Sequence, residues 1–133
     1  MAAVEDLQRR ADAESVALTA QQLELSHWKA TETYDSVVSI GLLMFFGCDQ
    51  ADAILAEMQH ATARGGILAL NVLTAGTTYT EMFEPGEYCL LAPEELLDRF
   101  SKWRVLESRI QDFPVNDACI KRFVTVVAER PAS

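Results

Sequence analysis

An α/β fold, with a mostly parallel sheet, helices on both faces and one terminal antiparallel strand, is what the sequence predicts. Three observations carry that reading. The segments Ser36–Ile40 and Ile67–Leu73 are apolar almost throughout, the pattern of strands covered on both faces. Between and after them lie stretches with apolar residues at helical spacing, so strands and helices alternate. Finally, Arg104–Gln111 and Arg122–Glu129 are separated only by a loop, with no room for a crossover helix, and must pair antiparallel.

Each element has its own local reason. Val4 to about Glu14 reads as a short amphipathic helix, with Val4, Leu7 and Ala11 on one face. Val16–Leu25 reads as a strand, because Val16, Leu18 and Ala20 alternate with Ala17, Thr19 and Gln21. A polar loop, Ser26–Thr33, precedes the Ser36–Ile40 strand. Asp49 is placed to cap a helix in which Ile54, Leu55, Met58 and Ala61 recur at helical spacing. Arg64-Gly65-Gly66 is read as its stop, since glycine takes left-handed conformations freely. Thr74 to Leu91 is a loop rich in Gly, Thr, Tyr and Phe, too long to be a mere connection. Pro93 then opens a helix whose dipole Glu94 and Glu95 complement, and Leu96, Leu97, Phe100 and Trp103 form its buried face.

The 133 residues suit one domain. A net charge of −9 argues against nucleic acid or an anionic membrane as partner, since both require a basic face. No apolar run approaches the roughly 18 residues of a membrane span. The Met1–Asp6 start carries neither the positive region nor the apolar core of a signal peptide, so a cytoplasmic location is expected. Cys48, Cys89 and Cys119 are widely spaced and form no CxxC or Cys/His cluster. Neither a metal site nor a disulfide framework is therefore expected. Glu81, Glu84, Glu87 and Asp112 read as a solvated acidic edge, and His60 as a surface histidine.

The candidate site is the carboxyl end of the Ser36–Ile40 strand. There Gly41 opens directly into the apolar run Leu42-Leu43-Met44-Phe45-Phe46. In open α/β sheets ligands sit in the crevice beyond the carboxyl ends of the strands, and this run looks like one wall of it.

Several segments together carry a family likeness. They are Tyr34-Asp35 opening the strand, Ser39 to Phe46 closing it, Arg64-Gly65-Gly66, the aromatic loop Gly76-Thr77-Thr78-Tyr79, and Phe123 to Ala128. In that order and spacing the chain resembles the later part of a class I S-adenosylmethionine-dependent methyltransferase, and more narrowly the tellurite-resistance methyltransferase family. The resemblance implies S-adenosylmethionine as cofactor and a small-molecule methyl acceptor. It implies that Glu24, within Gln22-Leu23-Glu24-Leu25, approaches the adenine amino group while Leu25 meets the ring. It also implies that Ser39, Ile40 and Gly41 line the methionine arm, and that Met44, Phe45, Phe46 and Tyr79 face the acceptor. No catalytic residue is assigned, because methyl transfer needs positioning more than acid–base groups.

The family's glycine-rich first turn has no counterpart: none of the six glycines forms a G-x-G and none precedes Val4. About one β-α-β unit, roughly 30 residues or more, is expected to be missing. The chain is accordingly read as a single partial methyltransferase domain, impaired when alone. A homodimer, or a separate chain, is expected to complete the sheet at the edge this exposes. The alternative is a non-catalytic remnant, a homodimeric α/β interaction module. Asp112 to Ala118 replaces the polar and basic residues the family carries between its last two strands, which argues against an oxyanion such as tellurite as substrate.

Overall fold

The computed structural model describes residues 2–21 and 23–132. In chain order they form helix α1 (Ala2–Ala13), strand β1 (Tyr34–Ile40), helix α2 (Cys48–Ala61) and strand β2 (Thr62–Leu73). Helix α3 (Pro93–Asp98) and strands β3 (Arg104–Pro114) and β4 (Ile120–Glu129) follow. Single 3₁₀ turns at Leu25–His27 and Leu43–Phe45 flank β1. The strands make one sheet in the order β1-β2-β4-β3. β1 and β2 are parallel, while β4 runs antiparallel to both β2 and β3.

The α/β class therefore holds, and the closing antiparallel pair forms where the short loop requires it. The sheet is mixed, because Val16–Leu25 is not a strand. Gln22 lies outside the described residues; the rest of that segment joins no ladder, and Leu25 opens the first 3₁₀ turn. Its alternating pattern is real, but a strand needs a neighbour to accept its backbone bonds. Here the partner is the side chain of Gln8 on α1, which accepts from the Ala20 N–H at 2.7 Å and donates to the Leu18 carbonyl at 2.8 Å. Val16 and Leu18 remain exposed.

Two punctuation signals act differently from expectation. Gly47 is the N-cap of α2, and Asp49 sits inside the first turn, where its charge complements the helix dipole without a capping bond. The other end of α2 stops at Ala61, ahead of the glycines. Thr62 turns extended and its Oγ1 donates to the Met58 carbonyl at 2.9 Å. The Arg130 guanidinium donates to the Gln59 and Thr62 carbonyls at 3.2 and 2.7 Å, satisfying acceptors that a helix end leaves open. Arg64-Gly65-Gly66 lies within β2 as a bulge, where pairing jumps from Tyr34–Thr62 to Ser36–Ile67. Gly65 has φ +79°, and a Cβ on Gly66 would lie 2.8 Å from the carbonyl oxygens of Ala63 and Asp35.

The core lies on one face of the sheet. Leu68, Leu70 and Val72 of β2 and Val124, Val126 and Ala128 of β4 are buried with Ile54, Leu55 and Met58 of α2, and with Leu96 and Phe100 at α3. The predicted faces of α2 and α3 thus reach this core, whereas Leu7 on the predicted α1 face is half exposed. The opposite face is open at β1, where Val38 and Ile40 are 63% and 73% exposed. In its centre the Asn71 amide donates to Thr125 Oγ1 at 2.9 Å.

The cysteine reading needs correction. Cys48, the first residue of α2, is disulfide-bonded to Cys89, with Cα atoms 4.9 Å apart. The two are 41 residues apart in sequence, so no short spacing announces the pair. Cys119 is free.

Candidate cofactor and acceptor site

β1 ends at Ile40, and Gly41 continues its ladder by donating to the Asn71 carbonyl at 2.8 Å. Gly41 has φ +63°, a left-handed conformation that turns the chain off the sheet. Leu43–Phe45 follow as one 3₁₀ turn. The run is bent here because glycine carries no Cβ to oppose the turn. The result is a sheet edge closed by a backbone corner, with apolar side chains on both sides.

The structure sorts the residues expected at this corner. Ser39 points to the core side, 6% exposed, and its Oγ has no hydrogen-bond partner. Ile40 points to the open face. Met44 is buried in the core at 5% exposure, and Phe46 packs partly buried against it. Phe45 alone among these aromatic and sulfur side chains presents a large surface, being 44% exposed. Its ring meets Phe83 at 5.3 Å, and Phe83 stacks on Tyr88 at 4.7 Å with planes 12° apart. This aromatic group from the β2–α3 loop was not expected; the only signal in the sequence is the density of aromatic residues in an unusually long loop.

Glu24 and Leu25 lie apart from the corner. Leu25 packs in a shallow cleft with Trp28, Gln50, Ala53, Ile54 and Glu57, on the flank of α2. Glu24 is exposed and precedes the 3₁₀ turn there. Beside it the Glu57 carboxylate accepts from the Ala30 N–H at 2.7 Å, and that bond holds Glu57 below its ordinary pKa of 4.5.

Tyr79 lies at the start of β4. Its N–H donates to the Ile120 carbonyl, and Lys121 Nζ sits 5.4 Å from its ring centroid, a cation–π contact. Ile120 extends past the β2 end, where Leu73 pairs with Phe123, so Tyr79 and Gly41 share the carboxyl end of the parallel pair. Next to Lys121, the Arg122 guanidinium makes a bidentate pair with Asp112 at 2.7 and 3.0 Å. That hydrogen-bonded pair holds the Asp112 carboxyl below its ordinary value and leaves Arg122 neutralised. Glu81, Glu84 and Glu87 are exposed, as the solvated-edge reading requires, and so is His60.

Among the described residues no helix is long and apolar enough to cross a membrane. No curated protein matches the chain. The sequence profile described as "Tellurite resistance protein TehB" matches residues 1–112. Among solved structures, TehB from Haemophilus influenzae superposes with a TM-score of 0.77 at 17% identity, over 93% of this chain and 45% of that one. The N-methyltransferase NodS from Bradyrhizobium japonicum, solved with S-adenosyl-L-homocysteine, gives 0.68 at 13% identity, over 94% and 61%. The [4+2]-cyclase SpnF gives 0.69 at 11% identity, over 98% and 63%. The chain thus spans less than two thirds of the length of each, and at these identities the likeness is one of fold. A cyclase among the neighbours shows why fold alone does not carry a reaction. From the profile match over most of its length, the chain belongs to the tellurite resistance protein TehB family, and its sheet is that of a methyltransferase fold.

Proposed function

We propose that this chain is a single partial methyltransferase domain, supplying one side of an S-adenosylmethionine site at the carboxyl end of β1. The observation that carries the reading is the Gly41 corner: a positive-φ glycine ending an edge strand whose apolar face is open. A sulfonium nucleoside fits such a place in part. The corner offers backbone without an intervening side chain, Ile40 offers apolar surface, and the buried Ser39 Oγ lacks a partner.

In this reading Ser39, Ile40 and Gly41 hold the methionine arm, and Glu24 with Leu25 receives the adenine from the flank of α2. Phe45 and Tyr79 face a small nucleophilic acceptor, with Met44 and Phe46 supporting Phe45 from beneath. When bound, the cofactor supplies an electrophilic methyl group, which the acceptor takes in line while sulfur keeps the bonding pair. The residues of this chain need only orient the two partners and exclude water, which is why no acid–base constellation is required. With Arg122 paired to Asp112, Lys121 remains as a half-buried cation over the Tyr79 ring. One such cation is a weak basis for an oxyanion pocket, and a neutral soft nucleophile suits the aromatic wall better.

The chain alone leaves the outer edge of β1 without a neighbour. A second copy, or a separate chain, supplies the adjoining strand in this reading, and the lone monomer is impaired. The open edge equally favours a second reading, a non-catalytic homodimeric module. Calorimetric titration with S-adenosylhomocysteine separates them, done at concentrations where light scattering finds a dimer or larger. Saturable heat is expected for the methyltransferase. No heat at millimolar ligand leaves the dimeric module as the reading.

A further inference from the structure

The Cys48–Cys89 bond ties the exposed first residue of α2 to a buried residue near the end of the β2–α3 loop. That loop holds itself to the molecule unevenly. Its beginning is anchored, with the Thr78 and Tyr79 N–H groups donating to the Ile120 carbonyl. Its end is anchored through the Ala75 N–H and Thr74 Oγ1, which both donate to the Leu91 carbonyl. From Thr80 to Tyr88, however, the backbone hydrogen bonds are local: Phe83 to Thr80 and Glu87 to Glu84. This stretch meets the body of the protein through Phe83, a core residue set against Phe45, through the half-buried Met82 and Tyr88, and at its end through Cys89, while Glu81 and Glu84–Glu87 are exposed. Cys89 contributes the disulfide and one N–H bond to the Met44 carbonyl at 3.0 Å.

We propose that Cys48–Cys89 is a reversible redox clasp that sets whether the Thr80–Cys89 stretch is fixed over Phe45. With the bond closed, Phe83 is held on Phe45, which keeps part of its surface open. With it open, the apolar contacts of Met82, Phe83 and Tyr88 and one hydrogen bond remain, and the stretch opens more readily. The required co-reactant is a dithiol. Its thiolate attacks Cys48 Sγ from the exposed side, and the S–S bond breaks with its electron pair passing to Cys89 Sγ, which takes up a proton. The second thiol of the reductant then attacks the mixed disulfide and displaces Cys48. Two electrons and two protons have moved from the dithiol, now a disulfide, to the two cysteines. This device stands whether or not the chain binds a cofactor, and its test uses none.

The test is thiol titration in denaturant combined with hydrogen exchange read by mass spectrometry, on the chain as purified in air and after a dithiol reductant. Expected are one titratable thiol before reduction, Cys119, and three after it. Peptides within 79–89 should then exchange at least tenfold faster in the reduced chain, while β2 and β4 stay protected. Cys48→Ser, without reductant, should show the same released loop. Three free thiols in the air-purified chain would overturn the clasp. So would equal loop exchange in both states, or loss of protection in β2 and β4 together with the loop, which would make the bond a brace of the whole fold.

Discussion

Gly41, Gly66 and Gly47 occupy three different backbone situations, and substitution should separate them. Gly41 sits at φ +63°, where an L side chain costs roughly 1–2 kcal/mol, so Gly41→Ala should lower the unfolding free energy by that amount in denaturant titration. Gly66→Ala places a methyl 2.8 Å from two carbonyl oxygens and should cost about 1–3 kcal/mol, with loss of the β1–β2 register near the bulge. Gly47→Ala meets nothing within 4 Å, so its cost should be only that of a poorer N-cap, about 1 kcal/mol or less. If Glu24 reads an adenine amino group, Glu24→Ala should weaken S-adenosylhomocysteine binding by roughly 1–3 kcal/mol; unchanged affinity by calorimetry removes it from the site. The corner at Gly41 was legible because a glycine ends an apolar strand there. The role of Gly65-Gly66 was not, because glycine marks a break in regularity and does not say whether the break ends a helix or bulges a strand. Met44 and Phe46 show the same limit: their chemistry suits a binding wall and a core equally, and only the packing assigns them to the core.

The elements that were legible are those whose pattern meets a partner. α2, α3, β2 and β4 each have an apolar face that the fold covers, and β1 and β3 pair on either side of them, so periodicity and the short last loop sufficed to place them. Val16–Leu25 has the alternation of a strand but bonds to Gln8, a choice made by what lies nearby in space. The disulfide was hidden for a related reason: two cysteines 41 residues apart become neighbours only when the loop folds back on α2. Because the bond holds a loop that is not part of the sheet, Cys48→Ser should leave the denaturant midpoint in air nearly unchanged. Helix α2 also carries a pH dependence. Glu57 has a folded pKa below 4.5 because it accepts from Ala30, so its stabilisation is complete above pH 4.5 and is lost as pH falls through the folded value. Glu57→Gln should therefore flatten the acid side of the stability–pH curve while leaving its slope near neutrality unchanged.

For the molecule as a whole, the open face at Val38 and Ile40 lies beside the β1 edge, which has no strand neighbour among the described residues. Such edges recruit strands, and the chain should run as a dimer or larger in light scattering. Ile40→Lys should shift it toward monomer by placing a charge on the apolar face; a wild-type monomer would remove the self-association reading. The sheet order has a further consequence, for synthesis. β4 occupies an interior place between β2 and β3 yet is the last strand in the chain. Until it leaves the ribosome, β2 lacks a neighbour on one side, β3 has none, and the apolar face that β4 shares with α2 stays wet. Of the sheet, only the β1–β2 pair can form early, and the rest closes in one late, long-range step of the kind that folds slowly and exposes its edges meanwhile. The nascent chain is thus a natural client for a chaperone until its final ten-residue strand is released.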